Sequence, residues 1–298
     1  MNWNNRNWST LDGSAPLILA HRGASGPLPE HTLVGYALGL GQSADVIEPD
    51  LVPSADGVLY ARHEPALRNS TNIAALPEFA SYQRDGEWWS VALRAAQLDR
   101  LRARQPFPGR DRAFDDRHPL PRWQAIIDWA AQAAVERGRP VTLYPELKHP
   151  SELAAHGVDP VPHFIASVAA LPDGVRVWVQ CFEVEPLYRV YLATGLPCAL
   201  LLDADADWRT AIAAHGSWLS RLGVNKHLLD SGLVAEAHAR GLRVDAWTFR
   251  DDALGDGFAR IADEMQAAMR HGADGLFCDF PATGVAARAA LAHADATL

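Results

Sequence analysis

LILAHRGASG, residues 17–26, runs four apolar residues into a histidine, an arginine and a glycine-rich tail. An apolar run this short, bounded by glycine, reads as a buried strand and not as a helix. His21 and Arg22 then stand at the strand's C-terminal end, with Gly23 and Gly26 keeping the backbone behind them pliant.

The same reading extends along the chain. Further strands are expected at VIEPDL (46–51), VTLYPEL (141–147), VRVWVQCF (175–182), PCALLL (197–202), WLSRLGV (218–224), RVDAWTF (243–249) and DGLFCDF (274–280). With LILA these make eight, separated by helical stretches such as TLVGYALGLG, WQAIIDWAAQAAVERG, SELAAH onward to HFIASVAALP, LLDSGLVAEAHARG and IADEMQAAMRHG. Strands alternating with helices predict a parallel sheet, and eight of them predict an α/β fold of the (β/α)8 TIM-barrel type. The whole of 1–298 is read as one barrel domain. The period breaks once, near the second strand. After an extra strand at VLYARH (58–63), residues 65–120 are irregular and rich in proline, arginine and aspartate, and read as an inserted loop or subdomain over one mouth of the barrel. Trp88, Trp89 and Phe107 are its unusual apolar residues, expected to anchor it to the rim or to wall a pocket.

Composition narrows the function. An apolar share of 48% and a charged share of 21% describe a folded globular chain. A formal charge of −9 argues against general nucleic-acid binding, which requires a basic surface. Cys181, Cys198 and Cys278 are odd in number and fall in or beside strands, as buried free thiols in a reducing compartment would. The polar opening and the lack of any 18-residue apolar run predict a cytoplasmic protein without stable membrane insertion. These motifs carry no reading of oligomeric state.

Barrels of this type place their active sites at the C-terminal ends of the strands, so polar residues that end apolar runs are the candidates. They are His21 and Arg22, Glu48 and Asp50, His63, Glu146 and Lys148, and Trp247. Each alone has an ordinary structural reading, such as a salt-bridged carboxylate, a hydrogen-bonded histidine or a core tryptophan. Their shared position at strand ends of one barrel favours function. Glu48 and Asp50 are two apart, so their side chains share a face, and two buried carboxylates repel unless something positive lies between them. A divalent cation would answer this, with Glu146 as a third ligand. An all-oxygen set suits Mg²⁺ or Ca²⁺ better than zinc.

The block AHRGASGPLPEHTLVGYALGLGQSADVIEPDLVPSADGVLYARHEPALRNSTNIA, followed in order by PELKHP, QCFEVEPL, DAWTFR and ADGLFCDFP, resembles the glycerophosphodiester phosphodiesterases, relatives of the phosphatidylinositol-specific phospholipases C. The resemblance implies a (β/α)8 barrel that hydrolyses small-molecule glycerophosphodiesters to sn-glycerol 3-phosphate and an alcohol with a divalent metal. It implies His21 and His63 as catalytic, Glu48, Asp50 and Glu146 as metal ligands, Arg22 and Lys148 on the phosphate, and Trp247 as a pocket wall. Two positions depart from the family's pattern: His31 stands where Asn is usual and Glu64 where Asp is usual. Paired imidazoles suit general base and acid near neutral pH, here His21 as base and His63 as acid. Attack by the glycerol 2-hydroxyl, giving a cyclic phosphate, and direct attack by water both remain open. The rival readings are a sphingomyelinase D-like phospholipase, which the PELK and DGLFCDFP segments oppose, and a non-catalytic barrel that binds metal or phosphate, which the presence of both histidines opposes.

Overall fold

Alternation along the strands sets the frame of the protein, a computed structural model describing residues 8–294. On β1 (Leu17–His21), Leu19 joins an inner cluster with Val46, Tyr144, Ala199 and Phe277. Ile18 and Ala20 instead join the larger core beneath the helices, with Tyr36, Trp123, Phe164, Leu233 and Met265. Each strand thus divides its residues between a barrel interior and a helix-facing layer, as period-two geometry requires.

The remaining strands are β2 (Val46–Glu48), β3 (Asp50–Pro53), β4 (Leu59–Ala61), β5 (Val141–Leu143), β6 (Glu146–Leu147), β7 (Val175–Val177), β8 (Val179–Cys181), β9 (Cys198–Leu202), β10 (Arg221–Asn225), β11 (Arg243–Phe249) and β12 (Gly275–Cys278). β2 and β3 are two parts of one strand interrupted at Pro49, β5 and β6 at Tyr144 and Pro145, and β7 and β8 at Trp178. The prolines remove ladder donors, and their carbonyls still accept: Glu146 N donates to Pro49 O and Gln180 N to Pro145 O, both at 2.9 Å. With these pairs joined and the antiparallel hairpin strand β4 set aside, eight parallel strands remain of the twelve. Pairing runs from β1 through β2, β5 and β7 on one level and through β3, β6 and β8 on the next. It continues from β8 through β9, β10, β11 and β12 and returns to β1, closing the barrel.

Helix ends follow their local chemistry. Thr32 caps Leu33–Gly41 through its hydroxyl, Asp230 caps Ser231–His238, and Gly138 at φ 63° ends Trp123–Arg137. The stretch expected as one helix from SELAAH onward is two, Pro150–Ala155 and Pro160–Val168. Gly157 at φ 94° and Pro160, the first residue of a helix that Asp159 caps by accepting from Val161 N, divide it. The expected strand at 218–224 starts only at Arg221, since Trp218 and Leu219 are taken up by backbone bonds to His215 O.

Residues 65–120 contain three 3-10 segments and one short helix, Ala95–Leu98. They pack around an apolar cluster of their own that includes Leu67, Ile73, Phe79, Trp88, Leu93, Leu98 and Leu101. Trp88 belongs to that cluster and donates from Nε1 to Phe79 O at 2.7 Å, whereas Trp89 stacks on His156 with centroids 6.3 Å apart. Trp88 is thus core of the insertion itself, Trp89 alone of the two stacks on a residue outside it, and neither lines the cavity at the barrel mouth.

Deep in the barrel, Arg221 meets Asp245 through two bonds of 2.5 and 2.6 Å and lies over the Trp178 ring at 4.4 Å. Tyr144 donates to the same carboxylate at 3.2 Å. Paired and hydrogen-bonded, these buried charges fill the interior beneath the mouth.

Candidate active site

The inward positions that place Leu19, Val46 and Tyr144 in the interior place His21, Glu48 and Glu146 two residues further on, at the mouth. There a cavity of about 200 Å³ is lined by His21, Arg22, Glu48, His63, Glu146, Lys148, Gln180, Phe182, Trp247 and Arg250, among others. Seven of the eight residues singled out from the sequence line it. The eighth, Asp50, is almost fully buried beside them.

His21 Nδ1 lies 2.6 Å from Asp279 Oδ1. Burial would raise the Asp279 pKa, but His21, Arg110 and Arg250 outweigh it and hold the carboxyl well below its usual range. Asp279 therefore accepts, His21 Nδ1 donates, and Nε2 keeps its lone pair. Burial, and then the neighbouring Arg22 charge, lower the His21 pKa to about 4 against the pull of Asp279, so the ring is neutral at pH 7. His63 follows the β4 hairpin, is 30% exposed at its side chain, and sets Nδ1 2.8 Å from Glu64 Oε1. The glutamate at this departure from the family pattern thus performs a visible task.

Arg22 has φ 59° and the following Gly23 has φ 86°, where a Cβ would come within 2.8 Å of the Gly35 carbonyl carbon. This tight turn aims the Arg22 backbone N–H at Glu48 Oε2, 2.9 Å away. Its Nη1 donates to Glu30 Oε2 at 2.7 Å, and its Nε lies 3.3 Å from Asp50 Oδ2. The guanidinium braces the carboxylates as well as facing the cavity.

Glu48, Asp50 and Glu146 each offer an oxygen within 4.8 Å of the other two. Glu48 also receives Gln180 Nε2 at 3.0 Å, Asp50 receives His31 Nε2 at 2.9 Å, and Glu146 receives Lys148 Nζ at 2.9 Å. Crowding separates their ionisation. Burial, then Asp50 and Glu146, push Glu48 well up. Burial pushes Glu146 up to about 8, with Lys148 opposing and Asp50 adding to it. Burial would raise Asp50 too, but Lys148, His31 and Arg22 outweigh it and hold it well down, so the negative charge settles there. The residues present fit a hard cation: the donors are all oxygen, the carboxylates repel, and Gln180 Oε1 is buried beside them without a hydrogen-bond partner. Arg22 is shared between Glu30 and Asp50, so with Lys148 it leaves the three carboxylates, when ionised, an excess of negative charge that a divalent cation would offset.

His31 is fully buried at φ 56°, bridging Asp50 and the Tyr36 hydroxyl at 2.9 and 3.0 Å. It is a support for a carboxylate. His31→Asn, which tolerates this backbone and keeps a donor, should stay close to the parent in urea denaturation. His31→Ala should lose about 1–3 kcal/mol, because it takes a hydrogen bond from each of two buried groups, the Tyr36 hydroxyl and Asp50; equal stability of the two variants would remove the support role.

Trp247 forms a wall of the cavity, with Phe182 edge-on to it at 5.7 Å. Cys181, Cys198 and Cys278 are free and buried, as expected. Sequence reasoning missed Asp279, Glu30, Gln180, Arg110 and Arg250. Asp279 and Gln180 carry a signal, since each is a polar residue at inward parity, two beyond Phe277 and Trp178. Arg110 carries none. It arrives from the insertion and reaches Asp279 Oδ2 at 2.6 Å.

A closed parallel barrel with a carboxylate cluster and two histidines at its C-terminal mouth defines a (β/α)8-barrel protein with a site where such barrels carry their chemistry. The model of the Glycerophosphoryl diester phosphodiesterase family matches residues 21–283, and the chain belongs to that family, which makes it a phosphoric diester hydrolase. A glycerophosphodiester phosphodiesterase of Arabidopsis thaliana is 27% identical over 91% of this chain and 85% of its own length. One from Haemophilus influenzae is 26% identical over 91% and 89%. Among solved structures, an Oleispira antarctica phosphodiesterase in complex with the product sn-glycerol-3-phosphate superposes with a TM-score of 0.71 at 19% identity, covering 92% of this chain and 96% of that one. A glycerophosphodiester phosphodiesterase from Agrobacterium tumefaciens gives 0.60 at 22% identity, covering 91% and 99%. At these identities the solved structures speak for the fold. No helix among the described residues is long and apolar enough to cross a membrane.

Proposed function

We propose that the protein hydrolyses glycerophosphodiesters to sn-glycerol 3-phosphate and an alcohol, with a divalent cation, Mg²⁺ or Ca²⁺, held by Glu48, Asp50 and Glu146. The observation that carries this reading is one cavity shared by the carboxylate cluster and by two histidines in different settings, His21 on buried Asp279 and His63 on half-exposed Glu64. The cation, when bound, offsets phosphate charge and polarises the phosphoryl oxygens. Lys148, beside Glu146, acts as a point charge on the phosphate, and Arg22 adds the donors left over from Glu30. His21, neutral with its Nε2 lone pair available, removes the proton from the attacking oxygen. His63, at the more exposed side, protonates the departing alkoxide while Glu64 steadies its other nitrogen. Trp247 and Phe182 offer an apolar wall for the glycerol carbons. The attacking oxygen is the glycerol 2-hydroxyl or water. Preferred substrates are deacylated, water-soluble diesters in the cytoplasm.

Incubation of the purified protein with glycerophosphocholine, glycerophosphoethanolamine and glycerophosphoglycerol, coupled to detection of glycerol 3-phosphate, tests this reading. Chelation should abolish turnover and either cation should restore it. Full activity after thorough metal stripping would refute the metal role, and failure on every diester would refute the substrate.

A further inference from the structure

Asp279 is fully buried and has both oxygens engaged, Oδ1 by His21 and Oδ2 by Arg110, each at 2.6 Å. Arg250 Nε stands 3.3 Å from the same Oδ2. Arg110 lies 169 residues from Asp279 in the chain and belongs to the insertion. Its guanidinium is fixed on every side. Asp252 takes Nε and Nη2 at 2.7 and 3.0 Å, Ser25 O lies 3.3 Å from Nη1, and the Phe107 and Phe280 rings lie 4.1 and 5.5 Å from the guanidinium carbon. The segment carrying it is seated nearby, since Gln105 Nε2, also fully buried, donates to Ser25 O and Leu28 O at 3.0 and 3.1 Å.

We propose that Arg110 is a positioning residue for His21, acting from the insertion by gripping the far oxygen of Asp279. The proposal rests on the reading of His21 as the base. A carboxylate group turns readily about its terminal torsion, which has broad, two-fold wells. With Oδ2 pinned by a charge-assisted bond, Oδ1 is presented to Nδ1 in one orientation, and that bond dictates which nitrogen carries the proton. Without Arg110, the buried carboxylate keeps only the more distant Arg250 on its far oxygen, and rotates or takes up a proton. Nδ1–H is then no longer held, and the tautomer with its proton on Nε2 cannot accept one from substrate. The insertion thus supplies a part of the barrel's catalytic apparatus.

Arg110→Met keeps the apolar stem between Phe107 and Phe280 and removes the fork. With glycerophosphocholine and saturating Mg²⁺ or Ca²⁺, its kcat should fall roughly 10- to 100-fold, part of what a lost proton transfer costs, while KM stays within about threefold. Guanidinium ions in the medium should recover part of kcat. Asp252→Ala removes only the outer anchor of Arg110 and should keep kcat within about threefold of the parent. A folded Arg110→Met with parental kcat overturns the proposal, as does an Asp252→Ala loss equal to that of Arg110→Met, which would mean simple anchoring. Should Arg110→Met fail to fold, Arg110→Lys decides, because its single ammonium lacks the fork: a folded variant with lowered kcat supports the role and parental kcat overturns it. Asp279→Asn separates the two levels. If it is inactive while Arg110→Met is not, only the role of Arg110 falls; if it retains parental kcat, the reading of the His21–Asp279 pair falls with it.

Discussion

His21→Ala is expected to turn over glycerophosphodiesters roughly 10²–10⁴-fold more slowly than the parent, the usual range for loss of a positioned proton acceptor. The loss should appear in kcat, because Glu48, Asp50 and Glu146, which would hold the cation, and Lys148 and Arg22, which would hold the phosphate, remain intact. Near-parental turnover would remove His21 from the mechanism. The titration of the ring supplies an independent check. Its folded pKa, near 4, lies below the ordinary value of 6.5. The neutral ring therefore contributes stability that is fully present above pH 6.5 and is lost as pH falls through 4. His21→Ala should accordingly melt less steeply than the parent as pH is lowered across that window, with a flat difference above it. A parallel decline in both proteins would contradict the buried, neutral imidazole.

Asp50→Ala should be the most damaging change at the cluster, since it removes a ligand and a counter-ion together. Lys148, Arg22 and His31 all face this carboxylate, at 3.8, 3.3 and 2.9 Å. Losing this shared counter-ion leaves Lys148 only Glu146, Arg22 only Glu30 and His31 only the Tyr36 hydroxyl, at a cost of about 3–5 kcal/mol, as breaking buried pairs does. Turnover should fall below detection, and addition of Mg²⁺ or Ca²⁺ should no longer raise the melting temperature. In the parent, the cation-induced rise should grow with pH. Glu146 has its pKa raised to about 8 from 4.5, so without a cation its stabilising contribution is complete below 4.5 and is lost as pH climbs through 8. A cation that replaces the proton restores it. A melting response to divalent ions independent of pH, or one that survives in Asp50→Ala, would place the ion elsewhere.

Most of this site was legible because a barrel strand reports its interior every second residue and its mouth at its last one. Glu48, Glu146 and Trp247 were found from that periodicity, and Asp279 and Gln180 obey it equally. They were passed over because DGLFCDF and VRVWVQCF read as apolar strands in which one polar residue looks incidental. Arg110 and Glu30 lie on irregular chain, where no period ties sequence to direction, and only tertiary packing brings them in. The breaks at Pro49 and Pro145 were likewise invisible as breaks, since flanking strand residues hide a missing donor whose carbonyl still pairs. Trp88 and Trp89 sit in the same kind of irregular chain. Composition marked them as unusual, but their direction was settled by the insertion's own core and by His156.

The pair His21–Asp279 joins residues 258 positions apart, the first at the end of the first strand of the ring and the second immediately after the last. Long-range contacts of this kind carry a large loop-closure entropy and form late on a folding route. Activity is therefore a reporter of topology: a nascent or truncated chain lacking β12 carries both histidines and all three carboxylates yet has no oriented base. In refolding experiments, recovery of hydrolysis should lag recovery of helical signal, with the interval measuring the time the chain takes to join its two ends.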